Sequence, residues 1–588
     1  MMRKQTKLVA VLSTAALLAI GASMTSFAAQ GWAEEDGTWV YYNRDGERAT
    51  DQWKKSGNNW YYLDSDGEMA IDTLIEDGDN YYYVDINGVM ASNQWVAIDN
   101  EDAGEDNEPE HYWYYFQANG KALKNGDNSK VALKTVNGKK YAFDEEGKML
   151  YGWVSSDNAE RVDDTDGDGF KEGDYYFGGE DDGAMTVGWL QMDITYDEAT
   201  NDYEIAPVFN DDEDQTRWFY FKANGKKVKA ENGDYQKEKT INGKKYAFDQ
   251  YGAMTAEWSL DKDEITDKAS SSNPIPASNS SAGSVDVDAK YAQQWRYFNS
   301  VEDGSRISKG WFKVVAAEYL NYDKFNDDED AWYYADGSGN LYAGEFKTIK
   351  GKKYAFRDDG RMIDGLKFIK EEGNGLDVIA DDDATYNFDN EDDFDENSLA
   401  LEALGYKCYY FGNGDDGAMK TNKTTVEIDG EKFNFYFEKS GSLKGAGKTG
   451  EKDDKYYQAG KLLRAGSDEK YQVVAGIKTT VDSKTGVGYK KISDAKEFIG
   501  VLYQFNAVKM GVNDDNVKKL NELGVNKKAD DLSELYIMDY NTDAPADAFF
   551  LVNTSGKVID SKSKNKDGND YYYVVQKGGK IVAVYVED

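Results

Sequence analysis

In 588 residues there are one cysteine, one histidine and five prolines. With Cys408 alone, no internal disulfide can form, so packing must hold the fold. His111 alone cannot supply a multi-histidine zinc centre, and it is poor material for a Ser-His-Asp triad. So few prolines exclude a disordered proline-rich stalk. Positive charge is scarce too: 69 Lys and Arg face 110 Asp and Glu, for a net charge of −41. Such a surface repels nucleic acid and anionic lipid, and suits a cation or a neutral partner held by apolar contact. The plainer reading is that the charge keeps an extracellular protein soluble. Tryptophan is missing after Trp332, and no apolar run long enough to span a membrane follows residue 29.

Aromatic residues are abundant: 44 Tyr, 25 Phe and 13 Trp make 14% of the chain, so burial must come largely from stacked rings. They recur with a period. Trp39, Trp60 and Tyr81 lie 21 residues apart, and each opens a run ending in glycine, at Gly46, Gly67 and Gly88. A large apolar residue follows each glycine: Trp53, Leu74 and Trp95. A fixed short period predicts stacked small units rather than one closed core. The runs are rich in Tyr, Trp, Phe and Val, which favour strands, and carry Asp-Gly or Asn-Gly pairs at 45–46, 66–67 and 87–88. Those pairs predict the hairpin turns, because they tolerate positive φ.

A longer period overlies the first. Lys134-Thr-Val-Asn-Gly-Lys-Lys-Tyr-Ala-Phe143 returns near-verbatim from Lys239 and from Lys347, at steps of 105 and 108 residues. This predicts three duplicated blocks within 113–465, after an uninterrupted run of hairpins at 30–112. Acidic insertions at 99–110, 193–214 and 371–397, and a serine-rich stretch at 270–284, read as loops. From about residue 466 the hairpin pattern fades. Phe498, Leu502, Phe505 and Val508 predict a helix within 493–510, and Asn513 and Gly524 bracket a second. Residues 466–588 therefore read as a separate mixed α+β module of unknown role, with a cap as one possibility.

Arg3, Lys4 and Lys7, the apolar run 8–20 and Ser26-Phe27-Ala28 together read as a secretory signal over 1–29. None of the five prolines lies in a Leu-Pro-x-Thr-Gly sorting sequence, so export without a covalent anchor is expected.

The pattern Gly31-Trp32, Trp39-Val-Tyr-Tyr42, Trp60-Tyr-Tyr62, Gly67-Glu-Met69, Gly147-Lys-Met149, Gly152-Trp153, Gly183-Ala-Met185, Gly188-Trp189 and Gly310-Trp311 resembles the cell-wall-binding repeats of Gram-positive surface proteins. These are the choline-binding and glucan-binding repeats, also seen in clostridial toxins. The resemblance covers roughly residues 31–460. It implies an all-β solenoid of stacked β-hairpins, here with the C-terminal α+β module added, and ligands held between successive hairpins. Carried over, the family's aromatic cage would use Trp32, Trp39 and Trp60, then Trp53, Trp60 and Tyr81, with Trp95 next in line. The match departs at Gln52, Gln94 and Glu257, which replace the glycine before tryptophan, and at Leu366, which replaces the cage tryptophan. The implied partner is a cell-wall polymer, either choline-substituted teichoic acid or a glycan, for a secreted, extracellular or cell-wall-associated protein.

Electron-rich rings attract a quaternary ammonium, or stack on apolar sugar faces. The competing reading is that most rings are hairpin core, since so short a unit has little else to bury. Asp164, Asp166 and Asp168, followed by Gly169, match the start of a calcium loop, although the twelfth position is Tyr175 and no helical flanks are expected. Calcium is the one possible cofactor, and none is required. Cys408, within Cys408-Tyr-Tyr-Phe411, reads as a substituted core position. The expected function is non-catalytic cell-wall or carbohydrate binding. The alternatives are an enzyme or adhesin active in 466–588 with the repeats as anchor, and a structural surface-layer component without a small ligand.

Overall fold

The computed structural model describes residues 30–105, 108–126, 129–165, 167–194, 215–231, 236–260, 289–317, 320–373, 375–380, 383–540 and 549–588. The secretory signal, Asp166, the serine-rich stretch and most of the 193–214 insertion lie outside these residues. The described chain is mostly β, in many small antiparallel sheets. It divides into two compact units, one running to Glu257 with Phe298–Ser305, the other comprising Trp258–Tyr297 and Arg306–Asp588.

In the first unit, β1 (Gly31–Glu35) pairs with β2 (Thr38–Tyr42), and β3 (Gln52–Ser56) with β4 (Asn59–Leu63). Likewise β5 (Thr73–Asp77) pairs with β6 (Asn80–Val84), and β7 (Gln94–Asp99) with β8 (His111–Phe116). The first hairpin closes over Asp36-Gly37, both left-handed at φ 51° and 85°, the conformation a two-residue hairpin turn needs. The next two close over Gly57-Asn58 and Gly78-Asp79. The expectation that Asp45-Gly46, Asp66-Gly67 and Asn87-Gly88 are the hairpin turns is therefore corrected: they are the connectors that follow each hairpin. Both turns demand positive φ, so local sequence does not tell them apart. Strand pairing does.

Each connector builds the step to the next hairpin. Asp64 accepts hydrogen bonds from the amides of Asp66 and Glu68, each at 2.9 Å. This folds the chain back so that Met69 N donates to Trp39 O at 2.7 Å, in the preceding hairpin. Met90 N to Trp60 O at 2.9 Å and Met149 N to Trp113 O at 2.7 Å repeat the contact. Within the second unit, Met362 N donates to Trp332 O at 2.7 Å. The connector glycine packs on the methionine one step back. A Cβ on Gly183 would lie 2.2 Å from Met149 Sδ, and Gly183 sits at φ 54°. Glycine is required there for both reasons.

In the second unit the acidic stretch 371–397 is not a loop. Strand Gly375–Val378 adds to a three-stranded sheet, and helix Glu391–Leu404 follows. Asn390 caps the helix by accepting from Asp393 N at 3.0 Å, and Gly405 ends it at φ 104°. Glu391, Asp392 and Asp393 in the first turn suit the helix dipole. The acids that suggested a solvated loop are its N-terminal signal, and Phe394 and Leu401 are its buried face. Lys461, 2% exposed, reaches Glu391 at 2.6 Å and Asp395 at 2.7 Å. Lys491 reaches Glu391 at 3.1 Å, so this helix binds residues on both sides of the boundary read at 465.

Beyond 466 the chain forms a three-stranded and a five-stranded sheet with helices Ala495–Gln504 and Asp514–Glu522. The first helix stops short of the expected 510. Asn506 turns left-handed at φ 52°, and Val508–Met510 becomes a strand paired with Met538, Ile537 and Tyr536. The second is bracketed as expected, with Asn513 accepting from Asn516 N at 2.9 Å and Gly524 at φ 87°.

Cys408 lies opposite Phe368 in the three-stranded sheet, fully buried, and burial pushes its thiol well above the ordinary value. Iodoacetamide or an aromatic disulfide reagent is therefore expected to leave the native protein unlabelled at pH 8, and to label it stoichiometrically in denaturant. Rapid labelling of native protein would contradict this packing.

Candidate ligand-binding site

Strand alternation puts Trp53 and Lys55 of β3 on one face with Trp60 and Tyr62 of β4, through the pairs Trp53–Tyr62 and Lys55–Trp60. The first hairpin repeats this with Trp32, Glu34, Trp39 and Tyr41. The tryptophan of the first strand is clamped between two tyrosines. Trp32 meets Tyr41 of its own hairpin at 5.4 Å and Tyr61 of the next at 5.3 Å. Trp53 meets Tyr62 at 5.1 Å and Tyr82 at 5.0 Å, and Trp95 meets Tyr115 at 5.2 Å and Tyr141 at 4.9 Å. These pairs, edge-on except for the tilted Trp53–Tyr82, add stability beyond area burial.

Of the residues singled out from sequence, Trp32, Trp39, Trp53, Tyr81 and Trp95 are half-buried, and Trp60 is exposed at 39%. They are neither sealed in a core nor free in solvent. Trp39 and Tyr81 lie across from Glu34 and Glu76. Trp53 Nε1 donates to Asp77 Oδ2 at 3.2 Å. The ring of the next hairpin that touches the clamped tryptophan is the one just after the strand-opening ring: Tyr61 after Trp60, and Tyr82 after Tyr81. Sequence reasoning did not name these tyrosines, although the second position of each Trp-Tyr-Tyr or Tyr-Tyr-Tyr run was the available signal.

Two further clusters came together unannounced. Trp189 meets Trp218 at 6.2 Å, Tyr220 at 5.1 Å and Tyr246 at 4.9 Å. In the second unit Trp311 meets Trp332 at 6.3 Å, Tyr334 at 5.0 Å and Tyr354 at 4.8 Å. Here the strand-opening tryptophan joins the cluster, and all four tryptophans are half-buried. Trp332 Nε1 also donates to Asp415 at 2.8 Å. That bond and Lys313 hold the Asp415 carboxyl below its usual range. The Gly-Trp pairs at 188–189 and 310–311 were the available signal for both clusters.

The rings face an acidic field. Burial first, and then Asp51 and Asp77, push the Tyr62 phenol up, while burial and Asp77 do the same to Tyr82. Both stay neutral at physiological pH. The chain's own ammonium groups already use these faces: Lys54 stands 4.9 Å from the centroid of Tyr41, Lys55 5.8 Å from that of Trp60, and Lys148 4.1 Å from that of Tyr112. One cluster is filled from within. Trp153 is 2% exposed, and the Lys227 ammonium lies 4.8 Å from its ring.

For the calcium loop, Asp166 lies outside the described residues. Asp164 Oδ1 accepts from Gly169 N at 2.8 Å, and Tyr175 is a buried strand residue opposite Val154. A one-turn helix, Gly169–Glu172, lies within the twelve residues 164–175, and strand Tyr175–Tyr176 closes them in place of the helix that would flank a calcium loop. Among the described residues no three His, Cys, Asp or Glu side chains gather into a metal-type cluster.

Residues 29–73 and 49–95 match the sequence profile of the choline-binding repeat. None of the curated proteins with which the sequence was compared matches it. Among solved structures, the modular autolysin LytC of Streptococcus pneumoniae aligns with 61% of this chain at 17% identity and a TM-score of 0.27. The alignment spans 57% of that autolysin, less than two thirds of its length. CbpJ of the same organism aligns over 71% of this chain and 100% of its own at 16% identity and a TM-score of 0.30. Choline binding protein F of Streptococcus pneumoniae aligns over 75% and 100% at 17% identity and a TM-score of 0.19. With TM-scores this low, these likenesses do not establish a shared arrangement.

Proposed function

Because residues 29–95 carry the repeats of the choline-binding family, we propose that this protein holds choline-type ammonium groups, or the apolar faces of glycans, in the aromatic clefts between successive hairpins. The observation that carries the reading is the half-buried tryptophan clamped between tyrosines of two hairpins and set in an acidic field, as at Trp53, Tyr62 and Tyr82. Each well-placed ring contributes about 0.5–2 kcal/mol to a bound cation. Three rings thus give single-site affinities of order millimolar. Several such sites on one chain hold it to a polyvalent wall polymer by avidity. The hairpins would run as a solenoid, a reading supported by the repeated amide bond from each connector to the preceding ring-bearing strand.

The same reading makes the protein a secreted, cell-wall-associated binder without catalysis of its own. Cys408 is sealed and held as a thiol, unsuited to nucleophilic attack. His111 spends its ring on the exposed Asp181 and stacks edge-on with Trp113.

Choline titrated into the whole protein at low salt is expected to change tryptophan fluorescence with a dissociation constant of order millimolar. Trp60→Ala, at an exposed ring, is expected to weaken the tightest phase by about 2- to 30-fold, the loss of one ring, and Trp53→Phe, which keeps a smaller ring, by less. Silence toward choline and toward neutral oligosaccharides would remove the reading.

A further inference from the structure

On a chain with 110 acidic residues, one pocket in the second unit is lined by none. It lies where the five-stranded sheet containing Asn422–Ile428 and Glu431–Phe437 meets the turn at residues 553–556. Its volume is about 420 Å³. Lys423, Lys455 and Arg464 line it, together with the neutral donors Thr425, Asn434 and Ser555.

The walls are built, not incidental. Thr425 and Asn434 are cross-strand partners, which sets their side chains side by side. Lys455 Nζ donates to Ser555 O at 2.6 Å, and Val558 N to Asp454 O at 3.0 Å, which fix the turn against the sheet. Gly556 closes the joint, since a Cβ there would lie 2.8 Å from Leu462. Buried Tyr457 and its cross-strand partner Leu462 add apolar lining. Among the described residues, no carboxylate pairs with Lys423 or Arg464. Elsewhere on this chain lysines commonly find acids, as Lys461, Lys491 and Lys527 do.

Two cations without counter-ions beside a third, in an acid-free recess, are matched by an oxyanion. Arginine presents a planar fork of donors that fits phosphate, and lysine adds a point charge. The surrounding hydroxyl and amide groups suit a carrier with hydroxyls of its own. The net charge does not decide the matter, because exposed charges are screened beyond roughly 8 Å at physiological salt. We propose that this pocket is a second ligand site, separate from the aromatic clefts, which takes the phosphate of a phosphorylated polyol or sugar.

The test is calorimetric titration of the full chain at low salt with glycerol 3-phosphate, inorganic phosphate and glycerol, repeated in the presence of saturating choline. Glycerol 3-phosphate is expected to bind, glycerol not to bind, and choline to leave the affinity unchanged. Arg464→Gln and Lys423→Gln are expected to weaken binding by about tenfold each, the loss of one charge-assisted contact. Both side chains are exposed, and a Cys408 that stays unlabelled shows that the variants fold. Glycerol 3-phosphate binding more tightly than inorganic phosphate assigns the site to a carried phosphate. Equal binding of the two, or binding of glycerol 3-phosphate that neither variant weakens, overturns that assignment. Absence of binding by both phosphates overturns the anion site itself, while choline binding in the same sample keeps the two proposals distinguishable.

Discussion

Replacing Lys227 with methionine is expected to stabilise the first unit near pH 6.5, by an amount of the order of the about 1–4 kcal/mol gained when apolar residues of similar volume replace a buried ion pair. Lys227 occupies the position that methionine fills in Gly67-Glu-Met69, Gly147-Lys-Met149 and Gly183-Ala-Met185. Its side chain is buried against Trp153 and Phe219 and hydrogen-bonds the carbonyl of Phe170. Burial above all, with Lys229 adding to it, pushes its amine down from 10.5 to about 7, against the weaker opposing pull of Asp249 and Asp174. Between those two values the unfolded chain holds a proton that the folded chain does not. Stability therefore rises with pH across that window and reaches its floor below about 7. Methionine removes the slope. It leaves the Phe170 carbonyl without this partner, a cost of about 1–3 kcal/mol that offsets part of the gain. Urea unfolding followed by tryptophan fluorescence at pH 6.5 and pH 9 should show the variant ahead at the lower pH and the gap closing at the higher. A variant less stable than the parent at pH 6.5 would mean that the amine is satisfied where it lies.

The same substitution at Lys461 is expected to do the opposite, costing the second unit about 2–4 kcal/mol. Lys461 is as buried as Lys227 but sits between Glu391 and Asp395. Burial pushes the Glu391 carboxyl up. The hydrogen bonds and charges of Lys461 and Lys491 outweigh that and hold it below its ordinary 4.5. Removing one partner of a buried pair strands the other charges, at about 3–5 kcal/mol when fully buried. The two carboxylates here are 33% and 24% exposed, and water screens part of the loss. A carboxyl held low contributes stability above its unfolded value and loses it as pH falls. The parent should therefore lose this contribution as the pH drops below about 4.5, and Lys461→Met should lose less there. The readout is urea unfolding at pH 7, with Cys408 labelling in the same samples as a reporter of opening. An unchanged midpoint would show that the helix at 391–404 is held by its apolar face alone.

The contrast between the two lysines shows where reading a chain by itself runs out. Both are lysines beside aromatic runs, and no local pattern separates them. The hairpins were legible because their signal is local: alternating rings make strands, and Asp-Gly or Asn-Gly pairs make turns. Which glycine turn closes a hairpin and which links two of them was not legible, since both need positive φ and the difference is which strands pair. The helix at 391–404 was hidden by its acids, because a solvated loop and the first turn of a capped helix share a composition. The candidate clefts were half legible. Trp32, Trp53 and Trp95 were evident from the 21-residue period, while Tyr61, Tyr82 and Tyr141 enter only because a neighbouring hairpin lays its opposite face against them.

Repetition, ring content, acidity and the poverty of cysteine and histidine settled from the chain alone that this is an acidic hairpin protein rich in aromatic rings, without an internal disulfide or a multi-histidine centre, because each depends only on residue type and near-neighbour spacing. Three things needed the folded molecule: which rings share a face, that Lys227 fills one aromatic cluster while others stay half-open, and that Lys423, Lys455 and Arg464 meet in one recess. Contacts between residues tens of positions apart are set by how each hairpin steps to the next, and that step is fixed by packing, such as glycine against methionine, rather than by any pattern within one repeat.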